Sequence, residues 1–221
     1  DGDLILAVEW GPVMIFRNNN GHFTEVTEAL GMDKYRGLWN GVTTGDIDGD
    51  GKLDIIATNW GLNNEYPASM ENPLRLYYDD FDNNGTLDII EGHFNPMSNQ
   101  VVPERGLATL FQAIPYIRSR VPNHNRFSES SVLNVIGNQL LKSQELQVNT
   151  LEHMVFFNQV NGFKAVSLPL EAQFSPAFYA GVADFDGDGY EDIFLSQNFF
   201  ATALIKPRSD GGRGLWLKGD G

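Results

Sequence analysis

A mostly-β fold built from repeated short strands is predicted by three features of this sequence. A nine-residue aspartate pattern occurs three times. Each copy lies between two runs of strand-forming residues. A second pair of strand-type runs recurs at nearly the interval that separates two of those copies.

Taken in order, the chain opens on Asp1-Gly2-Asp3-Leu4-Ile5-Leu6, which resembles the end of an aspartate segment and the strand after it. Aligned on Asp50-Gly51-Lys52-Leu53-Asp54, it puts Ile5 where an Asp is expected. Met14 to Asn18 and Phe23 to Val26 form a strand pair with a turn between them. Val42 to Gly45 and Leu53 to Thr58 flank the first aspartate segment, and Leu74 to Tyr78 and Leu87 to Ile90 flank the second. Met154 to Asn158 and Phe163 to Val166 repeat the early strand pair at an offset of 140, close to the 138 between Asp46 and Asp184. Tyr179 to Ala183 and Ile193 to Ser196 flank the third segment. A repeating unit of four short antiparallel strands joined by turn chemistry is a β-propeller blade, so a partial or whole propeller is expected.

One stretch departs from this rhythm. Over residues 104–147 the apolar residues Leu107, Leu110, Phe111, Ile114 and Ile117, then Val132, Val135, Ile136 and Leu140, fall at helical spacing. Val121-Pro122-Asn123-His124-Asn125 reads as a turn between them, and Ser128 or Ser130 as the cap of the second helix. A helical hairpin inserted between blades is therefore predicted, covering the sheet assembly or offering a partner surface. The expected organisation is blades with two aspartate loops over 1–103, the insertion over 104–147, and a blade with the third loop over 148–221. Three to four blades can be counted, and a closed propeller needs at least four. Both ends look cut, so a fragment of a longer chain is expected.

The three segments are Asp46-Ile47-Asp48-Gly49-Asp50-Gly51-Lys52-Leu53-Asp54, Asp80-Phe81-Asp82-Asn83-Asn84-Gly85-Thr86-Leu87-Asp88 and Asp184-Phe185-Asp186-Gly187-Asp188-Gly189-Tyr190-Glu191-Asp192. Their motif positions hold 11 of the 29 acidic residues in a chain of 221 with 15 Lys and Arg and a net charge of −14. So many carboxylates so close together repel unless a cation neutralises them. Positions one, three and five aim oxygens into one concavity, Gly at position six permits the sharp turn, and the Asp at nine closes the shell. The carbonyl at position seven (Lys52, Thr86, Tyr190) adds a further oxygen. An all-oxygen set on a flexible loop suits Ca²⁺ better than Mg²⁺, and with no His or Cys in the loops it does not suit Zn²⁺. Three ions would move the net charge from −14 to −8. A fourth, partial site at Asp1 and Asp3 lacks the first half of its loop.

The second loop also fits the EF-hand expression, with Glu91 at position twelve. The β-type run after it argues against a helix-loop-helix. Asn84-Gly85-Thr86 matches a glycosylation sequon inside the same loop, where Asn84 is wanted as a ligand. The acidity argues against a nucleic-acid groove, and no run is long and apolar enough for a membrane span. With no cysteine, disulfides, thiolate metal sites and cysteine nucleophiles are excluded. No nucleophile elbow, phosphate loop or His-Glu-x-x-His appears, so catalysis is not expected. His22, His124 and His153 read as surface or capping residues. An acid such as Glu152 or Glu171 facing a pocket with His153 would reopen that question. Trp10, Trp39 and Trp60 are read as packing between blades, with a surface contact as the alternative.

Aspartate loops between strands, with Asn-rich turns and Gly-x-Phe-Thr-x-Val segments, resemble the FG-GAP/VCBS repeats of integrin-α-like β-propellers. Trp39-Asn40-Gly41-Val42, Asn59-Trp60-Gly61-Leu62-Asn63, Leu76-Tyr77-Tyr78-Asp79-Asp80, Glu171-Ala172-Gln173 and Gly214-Leu215-Trp216-Leu217 are similar to bacterial VCBS-repeat proteins related to the ASPIC/UnbV group. The resemblance implies an extracytoplasmic calcium-binding propeller that serves adhesion or the binding of a protein or carbohydrate ligand. An accessory propeller of a secreted hydrolase or lyase, or a structural segment of a surface assembly, stands as the alternative.

Overall fold

The computed structural model describes residues 2–202 and 208–220. The chain forms two compact units, one of residues 1–65 and 150–221 and the other of residues 66–149. The strands in chain order begin with β1 (Leu4–Leu6), β2 (Glu9–Pro12), β3 (Met14–Asn19), β4 (His22–Glu25), β5 (Arg36–Leu38), β6 (Gly41–Gly45) and β7 (Asp54–Thr58). Then come β8 (Leu74–Asp79), β9 (Asp88–Asn95), β10 (Gln100–Pro103) and β11 (Gln144–Val148) of the second unit. The first unit resumes with β12 (Met154–Gln159), β13 (Gly162–Ser167), β14 (Ala177–Ala183), β15 (Asp192–Gln197) and β16 (Leu215–Leu217). Every strand predicted from the sequence is present.

The first unit is built on the antiparallel sheet β13-β12-β7-β6, with sheets β4-β3-β1 and β16-β15-β14 beside it and a short pair β2-β5. Strand alternation sends Ile55, Ala57, Met154 and Phe156 to one face of the central sheet, where they pack with Ile15, Met32 and Trp39. Ile56 and Val155 go to the other face and meet Ala180, Ile193 and Leu195. The five residues of β7 are consequently all buried, which is why the strand reads as an apolar run rather than an alternation. Phe156 takes Tyr35 and Trp39 edge-on at 5.5 and 5.9 Å, and full burial of such a ring is worth roughly 2–3 kcal/mol. A four-stranded antiparallel sheet packed through both apolar faces, with three-stranded sheets beside it, is the kind of blade packing that the repeats predict. Trp39 is core, as expected, whereas Trp10 and Trp60 are half-buried.

The sheet β4-β3-β1 repeats the strand pairing of β13-β12-β7. Leu4, Ile5 and Leu6 pair with Phe16, Ile15 and Met14 as Ile55, Ile56 and Ala57 pair with Phe156, Val155 and Met154. This corrects the register read from the sequence. Asp3, not Ile5, occupies the place of Asp54. The Asn18 N–H donates to Asp3 Oδ1 at 2.8 Å, as the Asn158 N–H does to Asp54 Oδ1 at 2.8 Å. The shift is two residues, so it leaves the in-out alternation unchanged and the pattern alone does not reveal it. Asp1 lies outside the described residues.

In the second unit the sheet order is β10-β9-β8-β11. The segment predicted as a helical hairpin is instead a series of short turns. These are α1 (Leu107–Ala113), α2 (His124–Ser128), α3 (Val132–Ile136) and the 3-10 turns Pro115–Ser119 and Asn138–Lys142. Pro115 and Pro122 lack the N–H that a longer helix needs, and Gly137 (φ 86°) ends α3. The apolar residues picked out by helical spacing still reach the core: Leu110, Ile114, Ile117, Val135 and Ile136 are buried together. Ser131, not Ser128 or Ser130, caps α3, in a reciprocal box with Asn134. Ser130 instead donates its hydroxyl to the Arg126 carbonyl. The second aspartate loop belongs to the same compact unit as these turns, whereas the sequence grouped it with the blades of 1–103.

Candidate metal centres

Each aspartate segment is a tight loop between two paired strands: β6 and β7, β8 and β9, β14 and β15. They are called loops 1, 2 and 3. The EF-hand alternative fails, because β9 follows loop 2 directly and Glu91 bonds Arg105 at 2.6 Å. The three loops repeat one hydrogen-bond scaffold. The Gly at position six donates its N–H to the Asp at position one: Gly51 to Asp46 at 3.0 Å, Gly85 to Asp80 at 2.8 Å, Gly189 to Asp184 at 2.9 Å. Position seven donates to position five: Lys52 to Asp50 at 2.9 Å, Thr86 to Asn84 at 2.8 Å, Tyr190 to Asp188 at 3.0 Å. Position two donates to the ninth: Ile47 to Asp54 at 3.0 Å, Phe81 to Asp88 at 3.1 Å, Phe185 to Asp192 at 2.9 Å.

The turn needs left-handed backbone at two places. Position six is Gly51, Gly85 and Gly189, with φ of 84°, 85° and 95°. Position four, which the sequence reading passed over, is Gly49, Asn83 and Gly187, with φ of 70°, 57° and 78°. A Cβ at Gly51, Gly85 or Gly189 would meet nothing within 4 Å, so backbone strain and not space demands glycine there.

The scaffold gathers carboxylates. One oxygen each from Asp46, Asp48 and Asp50 lies within 4.8 Å of the others, and the same holds for Asp80, Asp82 and Asp88 and for Asp184, Asp186 and Asp192. The remaining predicted positions stand differently. Asp54 is buried and turned to the N–H groups of Ile47 and Asn158. The side-chain oxygen of Asn84 is taken by the N–H and hydroxyl of Thr86. Asp188 meets Lys218 at 2.7 Å, and Lys52 bonds Asp50 in its own loop. Burial pushes Asp54 and Asp88 above the usual carboxylate range, while the Gly219 N–H on Asp192 holds that group below it.

The donor set fits a hard divalent cation such as Ca²⁺. Asp46 Oδ1 and Asp82 Oδ1 are buried with no hydrogen-bond partner, which is costly for a carboxylate unless an ion takes the lone pair. In loop 3 the ammonium of Lys218 bonds Asp186 and Asp188 and stands where positive charge is wanted. Lys52 partly does the same in loop 1, and among the described residues no ammonium or guanidinium pairs with the loop 2 carboxylates.

Three contributors escaped the sequence reading. Glu191 accepts the Asp46 N–H at 2.6 Å and so ties loop 3 to loop 1 across 145 residues of sequence. Lys218 reaches loop 3 from just beyond β16, and nothing local signals it. Asn158 braces Asp54, and its repeat as Asn18 at the 140 offset was a usable signal.

His153 is not a surface residue. It is fully buried, with Nδ1 accepting the Asn59 N–H at 2.7 Å and Nε2 donating to the Ser175 carbonyl at 3.0 Å. Burial lowers its pKa to about 4, so the ring is neutral. Neither Glu152 nor Glu171 bonds it. His22 and His124 are exposed, and His93 pairs with Glu104 at 2.7 Å.

Several small antiparallel sheets, three of them with an aspartate loop joining two paired strands, are consistent with a β-propeller-like repeat fold. Residues 1–57, which include loop 1 and the N-terminal half-repeat, match the family model described as an FG-GAP-like repeat. It is 26% identical over 235 aligned residues to cartilage acidic protein 1 of Xenopus tropicalis. The match covers 98% of this chain and 30% of that relative's length. No helix among the described residues is long and apolar enough to cross a membrane.

Proposed function

We propose that this chain is a calcium-binding propeller module of an extracytoplasmic protein, serving adhesion or the binding of a protein or carbohydrate ligand, with the ions structural. Within the FG-GAP-repeat proteins it is assigned to the bacterial VCBS-repeat branch related to the ASPIC/UnbV group, on the motifs quoted above. The observation that carries the calcium reading is the common scaffold of the three loops, which spends backbone N–H groups on holding carboxylates together at one point.

Asp46, Asp48 and Asp50, then Asp80, Asp82 and Asp88, then Asp184, Asp186 and Asp192 would hold the ions, with Asn84, Asp54, Asp188 and the carbonyls of Lys52, Thr86 and Tyr190 completing shells. A bound Ca²⁺ supplies positive charge that cancels the mutual repulsion of these acids. Around it, Asp54 fastens loop 1 to β12 through Asn158 and Asp192 fastens loop 3 to the segment after β16 through Gly219, and Glu191 joins loop 3 to loop 1. Partner contact is assigned to surface rings: Phe178, 43% exposed, lies 5.8 Å from Phe199, which stands 5.2 Å from Trp60. Ring faces of this kind suit a carbohydrate or an apolar protein contact. No catalytic step is assigned to this chain.

The test is a thermal melt in millimolar calcium against excess chelator, with bound metal counted by elemental analysis. Three ions per chain and a large calcium-dependent rise in Tm are expected. No metal and no shift would overturn the reading and return the carboxylates to the list of candidates for chemistry.

A further inference from the structure

Loop 2 differs from its siblings at position five, where Asn84 replaces the aspartates Asp50 and Asp188. The residue after it is Gly85, with no side chain to hinder approach of its backbone nitrogen to the Asn84 side chain. We propose that Asn84 is a site of spontaneous deamidation, one of whose two products is an aspartate at the position where loops 1 and 3 already carry one.

Hydrogen bonds within the loop bear on both reacting groups. The side-chain carbonyl oxygen of Asn84 accepts two donors from Thr86, the N–H at 2.8 Å and the hydroxyl. Two donors on one carbonyl oxygen polarise the carbon and stabilise the oxyanion that forms when it is attacked. The nucleophile is the Gly85 nitrogen. Its N–H already points at Asp80 Oδ2, 2.8 Å away, so an acceptor for the departing proton is in place.

In the step itself the Gly85 nitrogen forms a bond to Cγ of Asn84. The Cγ–Nδ2 bond breaks, and the side-chain nitrogen leaves as ammonia, carrying the proton lost from Gly85. The product is a five-membered imide. Water then opens it at the Cγ–N bond to give aspartate, or at the backbone C–N bond to give isoaspartate. The net change is Asn84 plus water to Asp or isoAsp plus ammonia, with no oxidant or other reactant.

Three other Asn-Gly pairs occur in the chain, at Asn20, Asn40 and Asn161, and the last two provide internal standards. Asn161 before Gly162 is exposed on the β12–β13 turn, and its side chain makes no hydrogen bond to the described residues. Asn40 before Gly41 is half-buried, its amide nitrogen donated to the carbonyls of Asn59 and Ala177 at 3.0 and 3.1 Å. The order of rates expected is Asn84 first, Asn161 next and Asn40 last. The consequence for metal binding, one more carboxylate in loop 2, rests on the calcium reading above. The modification itself does not.

The experiment is peptide mass spectrometry of the whole chain, incubated in chelator at physiological temperature and sampled over days. Asn84 is expected to gain the mass of one deamidation about tenfold faster than Asn161, the factor that one good hydrogen bond supplies. Thr86→Val, which removes the hydroxyl donor and keeps the shape, is expected to slow Asn84 several-fold and leave Asn161 unchanged, with an unaltered melt in chelator as control. Equal rates at Asn84 and Asn161 in the unmutated chain would overturn the proposal, whatever the variant does. The metal consequence is read separately, by calcium titration of Asn84→Asp. Loss of calcium binding throughout would sink the metal reading, while the mass shift would still stand or fall by itself.

Discussion

Loops 2 and 3 carry the same motif, yet their second residues meet opposite surroundings. Phe81 of loop 2 is 1% exposed and sits among Leu110, Ile114, Ile117 and Ile136, whereas Phe185 of loop 3 is 55% exposed. Both donate their N–H to the ninth-position Asp at nearly equal distances, 3.1 and 2.9 Å. The backbone of the loop is therefore set by the motif, and the side chain at position two is free to serve another purpose. In the second unit that purpose is to anchor the short helical turns, so that the loop and the turns share one core. The charge balance differs too. Loop 3 borrows an ammonium from Lys218, while loop 2 has an orphaned oxygen at Asp82 and an amide in place of one carboxylate.

The largest effect on this comparison is metal removal. Calcium at about 100 times Kd is expected to add roughly 2.7 kcal/mol for each site that binds only the folded chain. The check is a chelator melt of Asp184→Ala and Asp46→Ala beside the parent. Each variant should lose Tm in calcium and almost none in chelator. Equal losses in both would mean that the Asp works through turn geometry alone.

Next in size is the anchor. Phe81→Ala is expected to cost about 3–5 kcal/mol, as for a large buried side chain, and Phe185→Ala well under 1 kcal/mol. Urea melts of the two variants decide this, and similar costs would erase the contrast drawn above.

A third effect lies outside the loops. His153 is neutral in the fold, with a pKa depressed to about 4 against an ordinary 6.5. The unfolded chain therefore binds the proton more readily, and the contribution of this group is intact above about pH 6.5 and lost as pH falls toward 4. The loss is on the order of 3 kcal/mol. The slope of stability against pH between those limits should flatten in His153→Gln relative to the parent, and an unchanged slope would remove His153 from the account.

The smallest effect is the borrowed cation. Lys218→Met should tighten calcium at loop 3 by no more than about fivefold, the scale of an exposed ion pair, and leave loop 2 untouched. Site-resolved titration that finds loop 2 altered as well would show that the two units are coupled.

Much of the fold was legible because its signals are local. Gly at position six and alternating oxygens are demanded by a turn of nine residues, and the strands on either side announce themselves by β-branched and aromatic runs. The 140-residue offset exposed the repeat, though not its register, because a slip of two residues preserves alternation. The helical spacing found the right buried residues and the wrong element, since Pro115, Pro122 and Gly137 cut the segment into turns that an apolar count does not see.

What the sequence alone determined is the chemistry of the loops and the strands that frame them, because both depend on residues a few places apart. The tertiary structure decided what those loops touch. Glu191 on the Asp46 N–H, Lys218 on Asp186 and Asp188, Phe81 in the helical core and His153 held between Asn59 and Ser175 all join residues whose distance along the chain carries no periodic signal. Such contacts arise only when packed sheets bring their edges together, and there burial leaves each polar group either bonded or costly.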